Sequence, residues 1–248
     1  AHPAHEARVA AMAREIGFTQ VTTSHEVGAV IRLVPRANTA VVDAYLSPPL
    51  RDYVNTVAAG LPGVNLAFMQ SNGGLARAGH FHGRDAILSG PAGGIVGMAA
   101  AGRSAGEERL IGFDMGGTST DVSLFDGQYE RAEEVIIAGV PMRVPMLKID
   151  TVAAGGGSII SHVGGRLKVG PESAGAVPGP AAYRRGGPLT VTDANVMLGI
   201  VQPALSPALF GPGGNQPLDG DAVRDGFARL GAALGQPPEH VAAGARSI

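Results

Sequence analysis

The densest group of chemistry-bearing residues in this chain is Phe113 to Asp121, FDMGGTSTD. Gly116 and Gly117 let backbone N–H groups approach an anion with no Cβ in the way. Thr118, Ser119 and Thr120 add hydroxyl donors, and Asp114 and Asp121 flank them. Carboxylates beside a phosphate can hold Mg²⁺, directly or through its waters, or orient an attacking water. A plain hairpin turn with decorative hydroxyls is the alternative. An aspartate on each side of three consecutive hydroxyls favours the phosphate site.

Two further glycine loops have the same character. SGPAGG, Ser89 to Gly94, opens an apolar small-residue helix, and helix N-termini attract anions. Ser89, Gly90, Gly93 and Gly94 are its candidate contacts, with close helix packing as the competing explanation. In AAGGGS, residues Gly155, Gly156, Gly157 and Ser158 could wrap an adenosine or a phosphate. No loop carries the lysine of a Walker A motif, and no strand–GxGxxG–helix precedes an acidic residue, so P-loop and Rossmann proteins are excluded. His80 and His82 would share one face of an extended segment but lack a third ligand nearby. His25 beside Glu26 reads as structural, Glu172 lies in a polar glycine-rich stretch, and Asp193 reads as a helix cap.

These loops need elements to hold them. Helical spacing predicts a helix over Glu6 to Ile16 with Gly17 as its cap. A strand is expected at Val21 to Thr23. A helix follows from Thr39, with Ser47-Pro48 reading as a fresh helix start. Leu66 to Met69 is a strand entering the turn Ser71 to Gly74. Leu110 to Met115, Thr120 to Phe125 and Glu134 to Ile137 read as three consecutive antiparallel strands joined by glycine turns. Helices are expected at Thr190 to Gly199, starting at Thr192 or Asp193, and at Asp221 to Leu230. The alternation is that of an α/β or α+β protein, with a boundary expected at residues 85/86.

Composition narrows the function. A near-balanced net charge of -2 gives no sign of a polyanion partner, and 4% aromatics without Trp argue against base-stacking platforms. The absence of cysteine excludes disulfide scaffolds, thiolate metal sites and cysteine nucleophiles, and suits a cytoplasmic setting. No stretch reads as a signal peptide or a membrane span. The first residue is not Met, so a processed or partial chain is expected.

Several motifs in fixed order resemble the hydantoinase/oxoprolinase family: SHEV (24–27), NTAVVDAYLSP (38–48), FMQSNGGL (68–75), LSGPAGGIVG (88–97), GFDMGGTSTDVS (112–123), TVAAGGGS (151–158) and VGPESAG (169–175). The resemblance covers nearly the whole chain. It implies an actin/sugar-kinase/Hsp70-like (ribonuclease H-like) ATPase lobe with a mixed sheet and an antiparallel glycine-turn hairpin. Residues 1–85 would be the end of a first lobe and 86–248 the nucleotide-binding lobe. The implied reaction is ATP-dependent opening of a cyclic amide, foremost 5-oxo-L-proline to L-glutamate, with ATP and Mg²⁺ as cofactors. N-methylhydantoinase and ketone-carboxylase activities, and a non-catalytic nucleotide-binding module, are the alternatives. Asp114 and Asp121 would be the catalytic and metal residues. The family carries a second DxGGT-type motif that this sequence lacks, so a missing N-terminal lobe and a hydantoinase B-type subunit are expected partners, with homo-oligomerisation open. Two positions depart from the family pattern: Val177 stands for a polar residue and Ala182 for a cysteine.

Overall fold

The computed structural model describes residues 2–28, 33–137 and 139–248. Helices and strands are mixed, as an α/β protein requires, and the chain divides into two compact units. The first comprises residues 1–112 and 123–150, the second 113–122 and 151–248. These units do not follow a division at 85/86: residues 86–112 and 123–150 group with the N-terminal part, and only the hairpin 113–122 and residues from 151 on form the second unit.

In the first unit, α1 (Pro3–Ile16) stops at Gly17, whose φ of 109° lets its N–H turn back to the carbonyls of Ala13 and Arg14. The strand expected at 21–23 does not form. Its segment runs into α2 (Ser24–Val27), because Glu6 accepts the N–H groups of Ser24 at 2.6 Å and His25 at 3.2 Å. A carboxylate at free N–H groups favours a helical turn. The His25 ring lies 2.7 Å from the same carboxylate through Nδ1. Burial pushes the Glu6 carboxyl up, but the bonds from His25 and Ser24 outweigh it and bring the pKa from 4.5 to about 2.

Helix α3 (Leu33–Gly60) runs straight through Pro48 and Pro49, where a fresh start was expected. The Ser47 hydroxyl does not cap α3; it accepts the Gly83 N–H at 3.1 Å. Gly83 opens α4 (Gly83–Ala86) so close to α3 that a Cβ there would lie 2.7 Å from Leu46 Cβ. Tertiary packing thus carries the helix across two residues that cannot donate. After the hairpin of β1 (Ala67–Met69) and β2 (Leu75–Arg77), α5 (Ser89–Ala105) buries Ala92 and Ile95 beside Leu147.

Strands β3 (Arg109–Met115) and β4 (Thr120–Asp126) are adjacent in a three-stranded sheet. Its third member is not the segment near 134–137. That segment, β6 (Val135–Ile137), pairs with β7 (Val140–Met142), and β5 (Arg131–Ala132) pairs with β8 (Met146–Leu147). The chain folds back on itself there, and β9 (Asp150–Val152) completes the order β3-β4-β9.

The second unit adds the antiparallel hairpin β10 (Ser158–Val163) and β11 (Arg166–Ser173). Gly164 and Gly165 turn it with φ of 58° and 78°, the two-residue geometry that matches strand twist. Helices α6 (Val191–Met197), α7 (Gly220–Leu234) and α8 (Pro238–Ser247) pack on it around Ile160, Val223, Phe227 and Val241. Among the described residues, no helix is long and apolar enough to cross a membrane.

Two outcomes follow. Phe227→Ala, at a fully buried site, costs about 3–5 kcal/mol in denaturant unfolding, whereas Leu205→Ala, at 81% exposure, stays within about 0.5 kcal/mol. The depressed Glu6 pKa contributes stability that is present above pH 4.5 and lost as pH falls toward 2. Glu6→Gln is therefore less stable than the parent at neutral pH, and the difference between their unfolding midpoints closes on acidification.

Candidate phosphate-binding hairpin

The turn between β3 and β4 closes with the Gly116 N–H donating to the Ser119 carbonyl at 2.9 Å. Continued along the paired strands, this register sets Asp114 opposite Asp121. The Ser123 hydroxyl, filling the space that a Gly112 side chain would need, fits the same register. Directly opposed residues share a face of the sheet, and like charges so placed repel. A shared cation would remove that repulsion. Asp114 is exposed with no hydrogen-bond partner among the described residues, while Asp121 is half-buried and accepts the Thr151 hydroxyl at 2.6 Å.

Beneath the turn lies the glycine run. Gly156 donates its N–H to the Gly116 carbonyl at 3.0 Å, and Gly157 donates to the Gly117 carbonyl at 2.6 Å. In a trans peptide the carbonyl and the next residue's N–H point in opposite directions. Tying down the carbonyls of Gly116 and Gly117 therefore turns the N–H groups of Gly117 and Thr118 outward. Among the described residues nothing accepts from the N–H groups of Gly117, Thr118 or Ser119, and the Thr118 and Ser119 hydroxyls are equally unengaged.

The two sets of glycines differ in kind. A Cβ on Gly155 would lie 2.8 Å from backbone atoms of Gly117 and Thr118, and one on Gly157 would lie 2.7 Å from the Gly117 carbonyl oxygen. Close backbone approach demands those glycines. Gly117, in contrast, has nothing within 4 Å, Gly116 meets only the Ser119 carbonyl oxygen at 3.5 Å, and neither has a positive φ. The fold does not need glycine at these two positions; an incoming ligand would.

The residues anticipated from sequence thus separate. Asp114, Gly116, Gly117, Thr118, Ser119 and Asp121 form the open hairpin. Thr120 is buried and donates its hydroxyl to the Ala154 carbonyl at 2.6 Å. Gly155, Gly156, Gly157 and Ser158 lie against the hairpin, but their groups are engaged within the protein: Ser158, 3% exposed, accepts the Gly155 N–H at 3.0 Å. Ser89, Gly90, Gly93 and Gly94 belong to the first unit, where the helix start packs through fully buried Ala92. Glu172 is exposed and pairs with Lys168 at 3.7 Å. Ala182, where the resemblance led to a cysteine being expected, is fully buried in the core cluster with Ala194, Val223 and Phe227.

Sequence reasoning missed Thr192, which donates its N–H to the Gly156 carbonyl at 2.7 Å. It also missed the reach of Asp193, whose buried carboxylate accepts four hydrogen bonds. Burial pushes that carboxyl up, against bonds that favour its ionised form. The capping signal in Thr190 to Asp193 marked the place but not its reach. Among the described residues no three His, Asp or Glu side chains form a metal cage. Mg²⁺ beside phosphates needs only one or two carboxylates, so the opposed pair Asp114 and Asp121 fits a metal shared with a phosphate.

Opposed carboxylates, outward N–H groups and a supporting glycine run make this hairpin the candidate anion site of an α/β protein. The hydantoinase/oxoprolinase family model matches residues 36–248, and the chain belongs to this family. It is 50% identical over 234 residues to 5-oxoprolinase 1 of Arabidopsis thaliana, covering 92% of this chain and 18% of that protein. The nucleotide-free structure of acetone carboxylase matches with a TM-score of 0.80 at 26% identity. The crystal structure of ATP-dependent caprolactamase from Pseudomonas jessenii matches with a TM-score of 0.69 at 35% identity. Each structural match takes in 98% of this chain and 36% of the other. The chain thus spans less than a fifth of the length of its curated 5-oxoprolinase relative.

The steric contrast is measurable. Gly155→Ala, with backbone on the far side of its Cβ, costs about 1–3 kcal/mol of unfolding free energy, whereas Gly117→Ala stays within about 0.5 kcal/mol.

Proposed function

We propose that this chain is the nucleotide-handling part of an ATP-dependent cyclic amidohydrolase that opens 5-oxo-L-proline to L-glutamate, with ATP cleaved to ADP and phosphate. The observation that carries the reading is the hairpin's outward N–H groups at glycines the fold itself does not require. The 50% identity to a 5-oxoprolinase supports 5-oxoproline as the substrate. In this reading the fold is one actin/sugar-kinase/Hsp70-like lobe, residues 86–248, with residues 1–85 ending a first lobe.

The chemistry follows from the bond to be broken. A lactam is resonance-stabilised, and phosphorylating its oxygen makes the ring carbon a good electrophile for water. The hairpin's task is to hold the transferring phosphoryl group and stabilise its charge. The N–H groups of Gly117, Thr118 and Ser119 and the hydroxyls of Thr118 and Ser119 do this, while Gly155 to Ser158 and Thr120 support them from within. Asp114 and Asp121 would hold Mg²⁺, which supplies charge neutralisation on the phosphates. Asp121, oriented by Thr151, is the better placed of the two to direct water.

The partners are a further ATPase lobe and a hydantoinase B-type subunit or domain, in a cytoplasmic setting. On the exposed face of β3, Ile111 at 74%, Phe113 at 70% and Met115 at 49% form an apolar row of the kind that other polypeptide covers. The acetone carboxylase and caprolactamase matches make ketones and unsubstituted lactams the competing substrates.

In the whole protein, Asp114→Ala lowers 5-oxoproline-dependent ADP release by about 100-fold or more. Retained turnover would remove Asp114 from the mechanism. ADP release driven by hydantoins, caprolactam or a ketone instead of 5-oxoproline would transfer the substrate assignment, and nucleotide binding without any turnover would favour a sensing module.

A further inference from the structure

The hairpin's outward N–H groups are only as well aimed as the glycine run that holds its carbonyls. That run is itself held from the other side. The Thr192 N–H donates to the Gly156 carbonyl at 2.7 Å, and the Thr192 hydroxyl sits where a Gly156 side chain would be, 2.7 Å from the Cβ position. Thr192 is the second residue of α6, a helix too short to hold its own start by propagation. Its start is fixed by Asp193. One carboxylate oxygen accepts the Thr190 N–H at 2.8 Å, the Thr190 hydroxyl at 3.0 Å and the Ala181 N–H at 3.0 Å; the other accepts the Ala182 N–H at 2.8 Å. Both Asp193 and Thr190 are fully buried.

We infer that Asp193 is a positioning residue for the nucleotide hairpin, a role resting on the phosphate-site reading above. It touches no ligand. It clamps the 181–182 loop to the start of α6, which presents the Thr192 N–H to Gly156. Gly156 and Gly157 then hold the carbonyls of Gly116 and Gly117, and these peptide units aim the N–H groups of Gly117 and Thr118 outward. Every link is a hydrogen bond of 2.6–3.0 Å inside one compact unit. A capping residue needs only one or two of the four bonds that Asp193 makes. The two from Ala181 and Ala182 join α6 to a separate loop, which capping alone does not call for. Preorganised donors stabilise developing charge because they need no reorientation during reaction. The relay is the structural source of that preorganisation.

The test compares Asp193→Asn, Thr190→Val and Thr190→Ser with the parent in the full chain. Asn presents an NH₂ group to N–H donors, Val deletes one donor to the carboxylate at nearly constant volume, and Ser restores it. Amide hydrogen exchange is read at Gly156 and Gly157 and, as an internal reference, at Phe227 and Val241 in the core. Magnesium-ATP affinity is read by calorimetry.

Asp193→Asn is expected to speed exchange at Gly156 and Gly157 by about tenfold or more, the scale of one hydrogen bond to a charged group, with the core amides unchanged. Magnesium-ATP affinity should weaken by a similar factor. Thr190→Val should show a smaller change of the same pattern, and Thr190→Ser should return to the parent. Equal acceleration at the glycines and the core would show a merely structural residue and overturn the inference. So would unchanged exchange at the two glycines. If Asp193→Asn does not fold, the Val and Ser pair decides on the same criteria. If the parent itself binds no nucleotide, the phosphate-site reading fails while the exchange pattern still judges the relay.

Discussion

A peptide group has two sides, and this site depends on that fact. Its carbonyl and its N–H point in opposite directions, so holding one aims the other. In this protein the carbonyls of Gly116 and Gly117 are held by the N–H groups of Gly156 and Gly157. Remove those two bonds and the turn 116–119 is an ordinary glycine turn, free to rotate its donors. With them it becomes a fixed patch of positive partial charge beside two carboxylates. The distance between the chains has to be short for this to work, and a Cβ at Gly155 or Gly157 would prevent it.

The same economy of contact extends inward. The glycine run rests on Thr192, Thr192 on the start of α6, and that start on Asp193, which is closed off from solvent beside the core of α6, α7 and α8. Ala182 is part of this arrangement twice, through its N–H to Asp193 and through its methyl in the core. Its side chain is fully buried in the cluster that also holds Ala194, Val223 and Phe227.

The first unit shows the same preference for backbone held by side chains. Glu6 gathers the N–H groups at the start of α2, Ser71 accepts the Leu88 N–H at 3.2 Å, and Asp43 accepts the Arg84 N–H at 3.1 Å. Short helices and irregular turns are thereby held without long runs of regular structure. This is why segments that look like simple strands or helix starts in the sequence, such as 21–23 and Ser47-Pro48, take other forms.

Local chemistry was legible in the residues themselves. Periodicity and caps located α1, α5, β3, β4 and α7, and the glycine–hydroxyl–carboxylate string located the hairpin. Those signals are local because they depend on φ preferences, side-chain period and donor count over a few consecutive residues. What separates Gly117 from Gly155 is not local. Both are glycines in small-residue loops, yet one faces open space and the other a backbone 2.8 Å away. Nor could the sequence tell that Thr120 and Ser158 turn their hydroxyls inward while Thr118 and Ser119 leave theirs free. By itself the sequence determined which residue types stand ready to meet a phosphate. Only the tertiary structure decided which of them stay open and which hold the others in place, because hydrogen-bond partners 34 to 40 residues apart are chosen by the fold.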